Sequence, residues 1–129
     1  MSLLCIVAAG AVVALTLPSD GFELRWIHSV ERSEWHERWL PAPDGGLTLA
    51  ESRMRTSGAG MEPPEGAVLV DGWWIDRSTR LSVASLRLGL TEYAAPYEVC
   101  LNDLCRPLDS LLPQSAETAI LSSNEPCSG

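Results

Sequence analysis

Hydrophobic and polar residues alternate along short segments of the chain, and turn-forming residues separate these segments. In FELRW, for example, Phe22, Leu24 and Trp26 alternate with Glu23 and Arg25. A period of two is typical of a β-strand with one buried face, and no stretch keeps a helical period for about twelve residues. The pattern predicts an all-β fold: a small antiparallel β-sandwich or barrel of about eight to ten short strands, with little helix.

Three further segments refine this prediction. GGLTLAESRMRTSG repeats the alternation with Leu47, Leu49 and Met54, and GAVLVDGWWID predicts a hairpin whose turn is residues 71–72. A single helical turn is expected in DSLLPQS, capped by Asp109 or Ser110.

Residues 2–18 carry no charged side chain. Their β-branched flanks and small glycine-containing middle predict a hairpin with strands at 3–7 and 12–17. The alternative is a secretory signal or a membrane anchor. Two features argue against it: no basic residue precedes Arg25, and the segment is shorter than the ~20 residues that span a bilayer. We therefore expect a single β domain over 1–129, with 1–17 as its N-terminal hairpin or, alternatively, a signal or anchor segment.

Both histidines and three of the five tryptophans fall within residues 24–39. Continuing the alternation places His28 on the face of Trp26, followed by a turn, and then places Trp35, Glu37 and Trp39 on one face. If the two strands are antiparallel neighbours, His28 and Glu37 meet inside the domain as a partly desolvated pair with shifted pKa values. Such a pair is typical of binding and acid/base sites, although it also serves to fasten a hairpin.

The opposite face of the second strand carries His36 with Glu34 and Arg38, and we expect it to be a solvated surface. The glycine-rich segment TSGAGMEPPEGA, residues 56–67, offers backbone N–H groups to a small anion. A crossover into two rigid prolines, with Met61 in the core, explains the same residues without a ligand.

Seventeen acidic against nine basic residues, all of the latter arginine, give a net charge of −8. This charge disfavours nucleic acid and anionic lipid as partners. The arginines are scattered along the sequence except Arg53 and Arg55, so a local basic stripe is hard to assemble. We expect no nucleic-acid partner, and membrane contact only through a partner protein or the N-terminal segment.

Four cysteines suggest a disulfide framework formed in an oxidising compartment. A tight turn at residues 102–103 places Cys100 opposite Cys105 in a hairpin, where a bridge fits. Cys5 and Cys127 would then pair and join the chain ends. Buried thiols and a metal site are the alternatives, but the cysteine spacing matches no established metal motif. No metal and no cofactor are expected.

Three segments carry a resemblance to a known family: FELRWIHSVERSEWHERW, ESRMRTSGAGMEPPEGAVLVDGWW and YEVCLNDLCRPL. Together they resemble the bacterial family called domain of unknown function 1850, and the likeness covers nearly the whole chain. The resemblance implies no activity. It implies a genomic position beside TAXI-type tripartite (TRAP) transporters, and hence a place in the cell envelope or periplasm. Because no clear signal peptide is present, a cytoplasmic location stays open.

The resemblance also marks a signature, whose members are the ligand-binding candidates: His28, Ser29, Glu31, Trp35, Glu37, Trp39, Ser57, Gly58, Gly60 and Met61. The leading hypothesis is a non-enzymatic accessory or interaction module of a TAXI-type TRAP system that holds a small ligand near His28 and Glu37. One alternative is a stand-alone small-ligand or metal-binding protein. Another is a small hydrolase or isomerase that uses a His/Glu pair, although no catalytic residue is assigned.

Overall fold

A computed structural model describes residues 2–27, 33–55, 65–78, 80–90, 96–124 and 127. This part of the chain forms twelve strands and one 3₁₀ turn, η1: β1 (Ser2–Ala8), β2 (Ala11–Leu17), β3 (Phe22–Ile27), β4 (Glu34–Pro41), β5 (Leu47–Arg55), β6 (Val68–Val70), β7 (Trp73–Asp76), β8 (Leu81–Val83), β9 (Leu86–Gly89), β10 (Glu98–Leu101), β11 (Leu104–Pro107), η1 (Leu108–Leu111) and β12 (Thr118–Ser122). The predicted all-β class is confirmed. The strands outnumber the predicted eight to ten because pieces such as β6 and β8 are too short to show an alternation.

The strands form two antiparallel sheets. The smaller sheet has the order β2-β1-β12-β9, and the larger has the order β11-β10-β3-β4-β5-β7-β6. The N-terminal half of β5 also pairs with β8, while its C-terminal half pairs with β7. The long strand β5 therefore supports two short strands on the same side.

The hydrophobic core lies between the two sheets. Leu4, Ile6 and Leu121 from the smaller sheet join Phe22 and Leu24 from the larger one, and each is at most 1% exposed. Burying a side chain of this size stabilises the fold by about 1.5–3 kcal/mol. Both sheets thus depend on one shared apolar layer.

The N-terminal hairpin predicted from the sequence is present in β1 and β2. Their ladder runs from Ser2 paired with Leu17 to Ala8 paired with Ala11. The turn between them places Gly10 at a φ of 81°, a left-handed conformation that glycine adopts without steric cost. Among the described residues, no helix has the length and apolar character needed to cross a membrane.

A bulge in β5 explains how Leu49 and Met54 both reach the core. Arg38 pairs with Glu51 but its neighbour Trp39 pairs with Leu49, so Ala50 is an extra residue on β5. One inserted residue shifts the alternation by one position. The inward positions therefore change from odd to even numbers along β5.

Both predicted disulfides are present, Cys100–Cys105 and Cys5–Cys127. The first closes the β10–β11 hairpin, in which Asn102 and Asp103 have φ values of 51° and 65°, as a two-residue turn requires. The second joins residues 122 positions apart in the sequence. Constraining so long a segment removes more unfolded-state entropy than closing the short hairpin.

Two further turns were predicted, and the structure confirms the first in full and the second without its predicted cap. The hairpin at residues 71–72 is confirmed, with β6 and β7 paired around it. The helical turn is a 3₁₀ turn that begins at Leu108, and Pro107 occupies its N-cap without a side-chain cap. The predicted cap by Asp109 or Ser110 is therefore wrong, because the Ser110 hydroxyl donates back to the carbonyl of Pro107 at 2.6 Å.

Candidate functional site

Strand β4 lies between β3 and β5 near the middle of the larger sheet, and its side chains alternate between two faces. We call the side toward the smaller sheet the inner face and the opposite side the outer face. Trp35, Glu37 and Trp39 belong to the inner face, as the alternation predicts. They share it with Trp26 and Leu24, which lie opposite Trp35 and Glu37 in the β3–β4 register.

Three rings on the inner face form an aromatic cluster: Trp26, Trp35 and Tyr97. The Trp26 and Trp35 rings are nearly parallel, with centroids 6.0 Å apart. Tyr97 is tilted against Trp26 at 5.6 Å. All three side chains are half-buried. Ring faces therefore line the end of this face that lies near the start of β4.

Glu37 lies beside this cluster, between Leu24 of β3 and Ser52 of β5. Its Oε1 accepts a hydrogen bond of 3.2 Å from the Trp39 indole Nε1. Burial raises the pKa of Glu37 above its ordinary value, and the Trp39 hydrogen bond offsets this in part. Within the described part of the chain, no arginine or histidine pairs with this carboxylate.

The surroundings of Glu37 are fixed by hydrogen bonds of the neighbouring indoles. Trp35 donates its Nε1–H to the hydroxyl of the fully buried Ser33 at 2.9 Å.

The pKa of Tyr97 is raised by burial and, secondly, by the negative charge of Glu37. This second effect indicates that the phenol and the carboxylate are close enough to interact.

The structure thus brings together Trp35, Glu37 and Trp39 from the predicted set. The other seven candidates, His28, Ser29, Glu31, Ser57, Gly58, Gly60 and Met61, lie outside the described residues. The pairing of His28 with Glu37 consequently stays a prediction. The chain leaves β3 at Ile27 and β5 at Arg55, and both positions flank Glu34 at the same end of the sheet.

The outer face contains the second histidine in an unexpected setting. His36 Nε2 lies 2.9 Å from Glu34, its Nδ1 lies 3.3 Å from Glu23, and its ring packs on Trp73 at 4.7 Å. Its side chain is only 13% exposed, so the predicted solvated surface is wrong at this position. Burial, followed by the charge of Arg25, lowers the pKa of His36, while the two carboxylates act in the opposite direction.

The outer face also gathers five of the nine arginines, each paired with a carboxylate: Arg25, Arg38, Arg53, Arg55 and Arg77. Their dispersion in the sequence did not prevent this, because antiparallel register aligns residues that are distant in sequence. The group is no basic stripe, however, since Glu23, Glu34 and Glu51 lie among the guanidinium groups.

In these ion pairs the carboxylates are more deeply buried than the guanidinium groups that bind them. Glu23 is 15% exposed, whereas its partners Arg25 and Arg38 are 39% and 36% exposed. Burial alone would raise the pKa of Glu51, but hydrogen bonds from Arg53 and Arg77 overcome this and hold the pKa below its usual value. The outer carboxylates are thus satisfied by cations, in contrast to Glu37.

Two hollows on the outer face share Arg25, with volumes of about 180 and 370 Å³. In each, acidic residues outnumber arginines; the charged lining is Asp20, Glu23, Arg25, Arg38 and Asp103 in the smaller and Arg25, Glu34, His36 and Glu98 in the larger. This balance does not favour an anion. The outer face is best explained as a set of cross-strand ion pairs that fasten β3, β4 and β5.

Two members of the inner-face site cannot be recognised as site residues from the sequence. The alternation places Trp26 on the correct face, but nothing in the sequence indicates its stacking on Trp35. Tyr97 reaches Trp26 because β10 pairs with β3, with Glu98 opposite Arg25. The available signal is the position of Tyr97 immediately before a strand, which is informative only once the partner strand is known.

The fold and the two faces define a small all-β domain of two antiparallel sheets, with a polar group held among aromatic rings. A model of the family described as Domain of unknown function (DUF1850) matches residues 22–108, and the chain belongs to this family. The matched range runs from the start of β3 to η1 and includes both faces of β4. A comparison with curated proteins and one with solved structures found no match.

Proposed function

We propose that this DUF1850 domain is a non-enzymatic binding module that holds a small organic cation on the inner face of its larger sheet. One observation carries the proposal: Glu37 is a half-buried carboxylate without a cationic partner among the described residues, and it lies beside aromatic rings. On the outer face, in contrast, Glu23, Glu34 and Glu51 each pair with arginine.

A cation is the ligand chemistry that this arrangement favours. Burial penalises the charged form of Glu37, and an ammonium group nearby would restore its ionisation. The faces of Trp26, Trp35 and Tyr97 carry negative quadrupole potential, which attracts a cation within about 6 Å of a ring centroid. Trp35 and Trp39 already use their indole N–H groups on Ser33 and Glu37, so neither offers a donor to the ligand, and Trp35 offers its ring face.

Binding is favoured over catalysis because, in the part of the chain that the structure describes, Glu37 lacks the partners that acid/base chemistry needs. There its hydrogen-bond partner is the Trp39 indole, and no serine, cysteine or histidine of that part is hydrogen-bonded to its carboxylate. A positioned nucleophile or second titrating group is the usual companion of a catalytic carboxylate.

The native tryptophans provide the test. Choline and putrescine, a quaternary and a primary ammonium probe, are titrated against the full chain while tryptophan fluorescence is followed. We expect saturable quenching by at least one probe, and a loss of affinity of about tenfold or more in Glu37→Gln. Glu117→Gln removes an exposed carboxylate elsewhere and is the matched control. Equal affinity of wild type and Glu37→Gln would contradict the proposal.

We further propose that the module serves a TAXI-type TRAP transporter in the cell envelope. The support is the genomic position that the family resemblance implies. The test is co-purification from native membranes under mild detergent, with a tag on this protein and the Trp35→Ala variant as a comparison. Recovery of a transporter subunit is the expected result. Recovery of none under conditions that keep the transporter intact would refute this second step without affecting cation binding.

A further inference from the structure

A separate cavity opens at the seam where the edges of the two sheets meet. It has a volume of about 330 Å³, within the range of small-molecule sites. β2 is the edge strand of the smaller sheet and β11 is that of the larger, and both contribute to its wall. Five apolar side chains form most of the lining: Leu15, Val99, Leu101, Leu104 and Leu111.

Of the described residues that line this cavity, one is charged, and it is Arg106. In the β10–β11 hairpin Arg106 is paired with Val99, which is 2% exposed and belongs to the inner face. The Arg106 side chain is exposed, and among the described residues it makes no ion pair. Thr16 and Asn102 are the other polar residues of the lining. The cavity is thus an apolar slot whose lining, as far as the described residues show it, has a guanidinium group without an ion pair and no carboxylate.

The wall that carries Arg106 is held in place by covalent chemistry. The Cys100–Cys105 bridge closes the hairpin, and Asn102 belongs to its two-residue turn. Because the bridge joins β11 to β10, and β10 pairs with β3, the edge strand is anchored to the sheet. A site with a fixed wall loses little conformational entropy when a ligand enters.

We propose that this seam binds an amphipathic carboxylate, with its unbranched acyl chain between the leucines and its head group on Arg106. The apolar lining matches the chain, because removing it from water is favourable over its whole length. The guanidinium fork matches a carboxylate in two parallel hydrogen bonds. This site is independent of Glu37, since β2, β10 and β11 form it rather than β4.

An inward-pointing charge on an edge strand has a second established role. It discourages the edge from pairing with another chain. Arg106 on β11 fits that role as well as the proposed one, and Leu104 beside it is 57% exposed. The two roles differ in what they predict for small ligands and for self-association.

The test uses octanoate and 1-octanol with the full oxidised chain, measured by isothermal titration calorimetry. We expect octanoate to bind about fivefold or more tightly than octanol, and Arg106→Gln to remove that difference without abolishing octanol binding. Leu15→Trp, which fills the slot, should abolish both. Arg87→Gln, at an exposed arginine of β9, is the matched control and should leave both affinities unchanged.

Three outcomes would overturn the proposal. If neither probe binds the wild type, the cavity is not a site for acyl chains. If octanoate binds equally to wild type and Arg106→Gln, the head group is not recognised by this arginine. If Arg106→Gln self-associates in gel filtration while neither probe shows saturable binding, Arg106 protects the edge strand instead.

Discussion

Each face of β4 carries a glutamate, Glu37 on the inner face and Glu34 on the outer face, but the partners of the two carboxylates differ. On the outer face, His36 contacts Glu23 and Glu34, and the same carboxylates also bind arginines. On the inner face, Glu37 has an indole N–H as its partner. The consequence is visible in the pKa values: burial raises that of Glu37, whereas arginine contacts lower that of Glu51.

This difference distinguishes carboxylates whose charge is already paired from a carboxylate that lacks a cationic partner among the described residues. A carboxylate whose lone pairs are used by several guanidinium groups is already satisfied and gains little from a new partner. A half-buried carboxylate with one weak donor keeps part of its desolvation cost until a cation arrives. The outer ion pairs therefore fasten neighbouring strands, and the inner face is where we propose that the ligand binds.

The largest effect that the comparison predicts comes from the adjacent residues Trp39 and Arg38. Trp39 is 2% exposed and belongs to the core, so Trp39→Ala is expected to cost about 3–5 kcal/mol of the free energy of unfolding. Arg38 is 36% exposed and contacts Glu23 and the carbonyl of Asp20, so Arg38→Ala is expected to cost about 1 kcal/mol or less. Urea denaturation followed by far-ultraviolet circular dichroism measures both. Equal losses would mean that the outer ion pairs contribute as much as the core.

The sequence predicts those parts of this contrast that depend on residues close together in the chain. The alternation of β4 is local, and by itself it places Trp35, Glu37 and Trp39 on one face. The turn at residues 102–103 is also local, and with the cysteine spacing it predicts the Cys100–Cys105 bridge. Both predictions need only the period of a strand and the geometry of a tight turn.

Features that depend on which strands become neighbours are not predicted by these local patterns. Glu23 reaches His36 because β3 and β4 are in register, and Tyr97 reaches Trp26 because β10 pairs with β3. The extra residue Ala50 of β5 can be recognised only from the pairing of β5 with β4. The pattern along one segment does not contain this information, since strand register is decided by the whole sheet.

A smaller effect with opposite signs is expected from the same substitution on the two faces. Glu23→Gln leaves Arg25, Arg38 and His36 around an uncharged amide, and we expect a loss of about 1–2 kcal/mol in the free energy of unfolding. Glu37→Gln removes a charge that burial disfavours while retaining an oxygen that accepts from Trp39, so we expect a gain at pH 8. Chemical denaturation of both variants at pH 8 makes the comparison.

The pH dependence of the Glu37→Gln effect follows from linkage. The folded-state pKa of Glu37 lies above the ordinary 4.5, so between these values the folded protein binds more protons than the unfolded one. The contribution of Glu37 to the free energy of unfolding therefore rises as pH falls through the folded-state pKa, and the advantage of Glu37→Gln should disappear by about pH 4.5. A variant that is destabilised equally at pH 8 and pH 4.5 would show that the carboxylate makes a stabilising contact independent of its charge.

The smallest effect is expected from His36. Burial and the charge of Arg25 lower its pKa from 6.5, although Glu23 and Glu34 act in the opposite direction. Because the unfolded chain binds the proton more readily, the contribution of His36 to stability is present above pH 6.5 and is lost as pH falls through the folded-state pKa. His36→Gln should flatten this part of the stability profile between pH 7 and pH 5, measured by urea denaturation at intervals of half a pH unit. Glu51, whose pKa lies below 4.5, titrates outside this window, and Glu37, whose pKa is raised above 4.5, is present in both proteins and cancels in the difference between their profiles. If the wild type instead gains stability toward pH 5 and His36→Gln does not, the two carboxylates outweigh burial. Protonation of His36 would then strengthen the ion pairs of the outer face rather than weaken them.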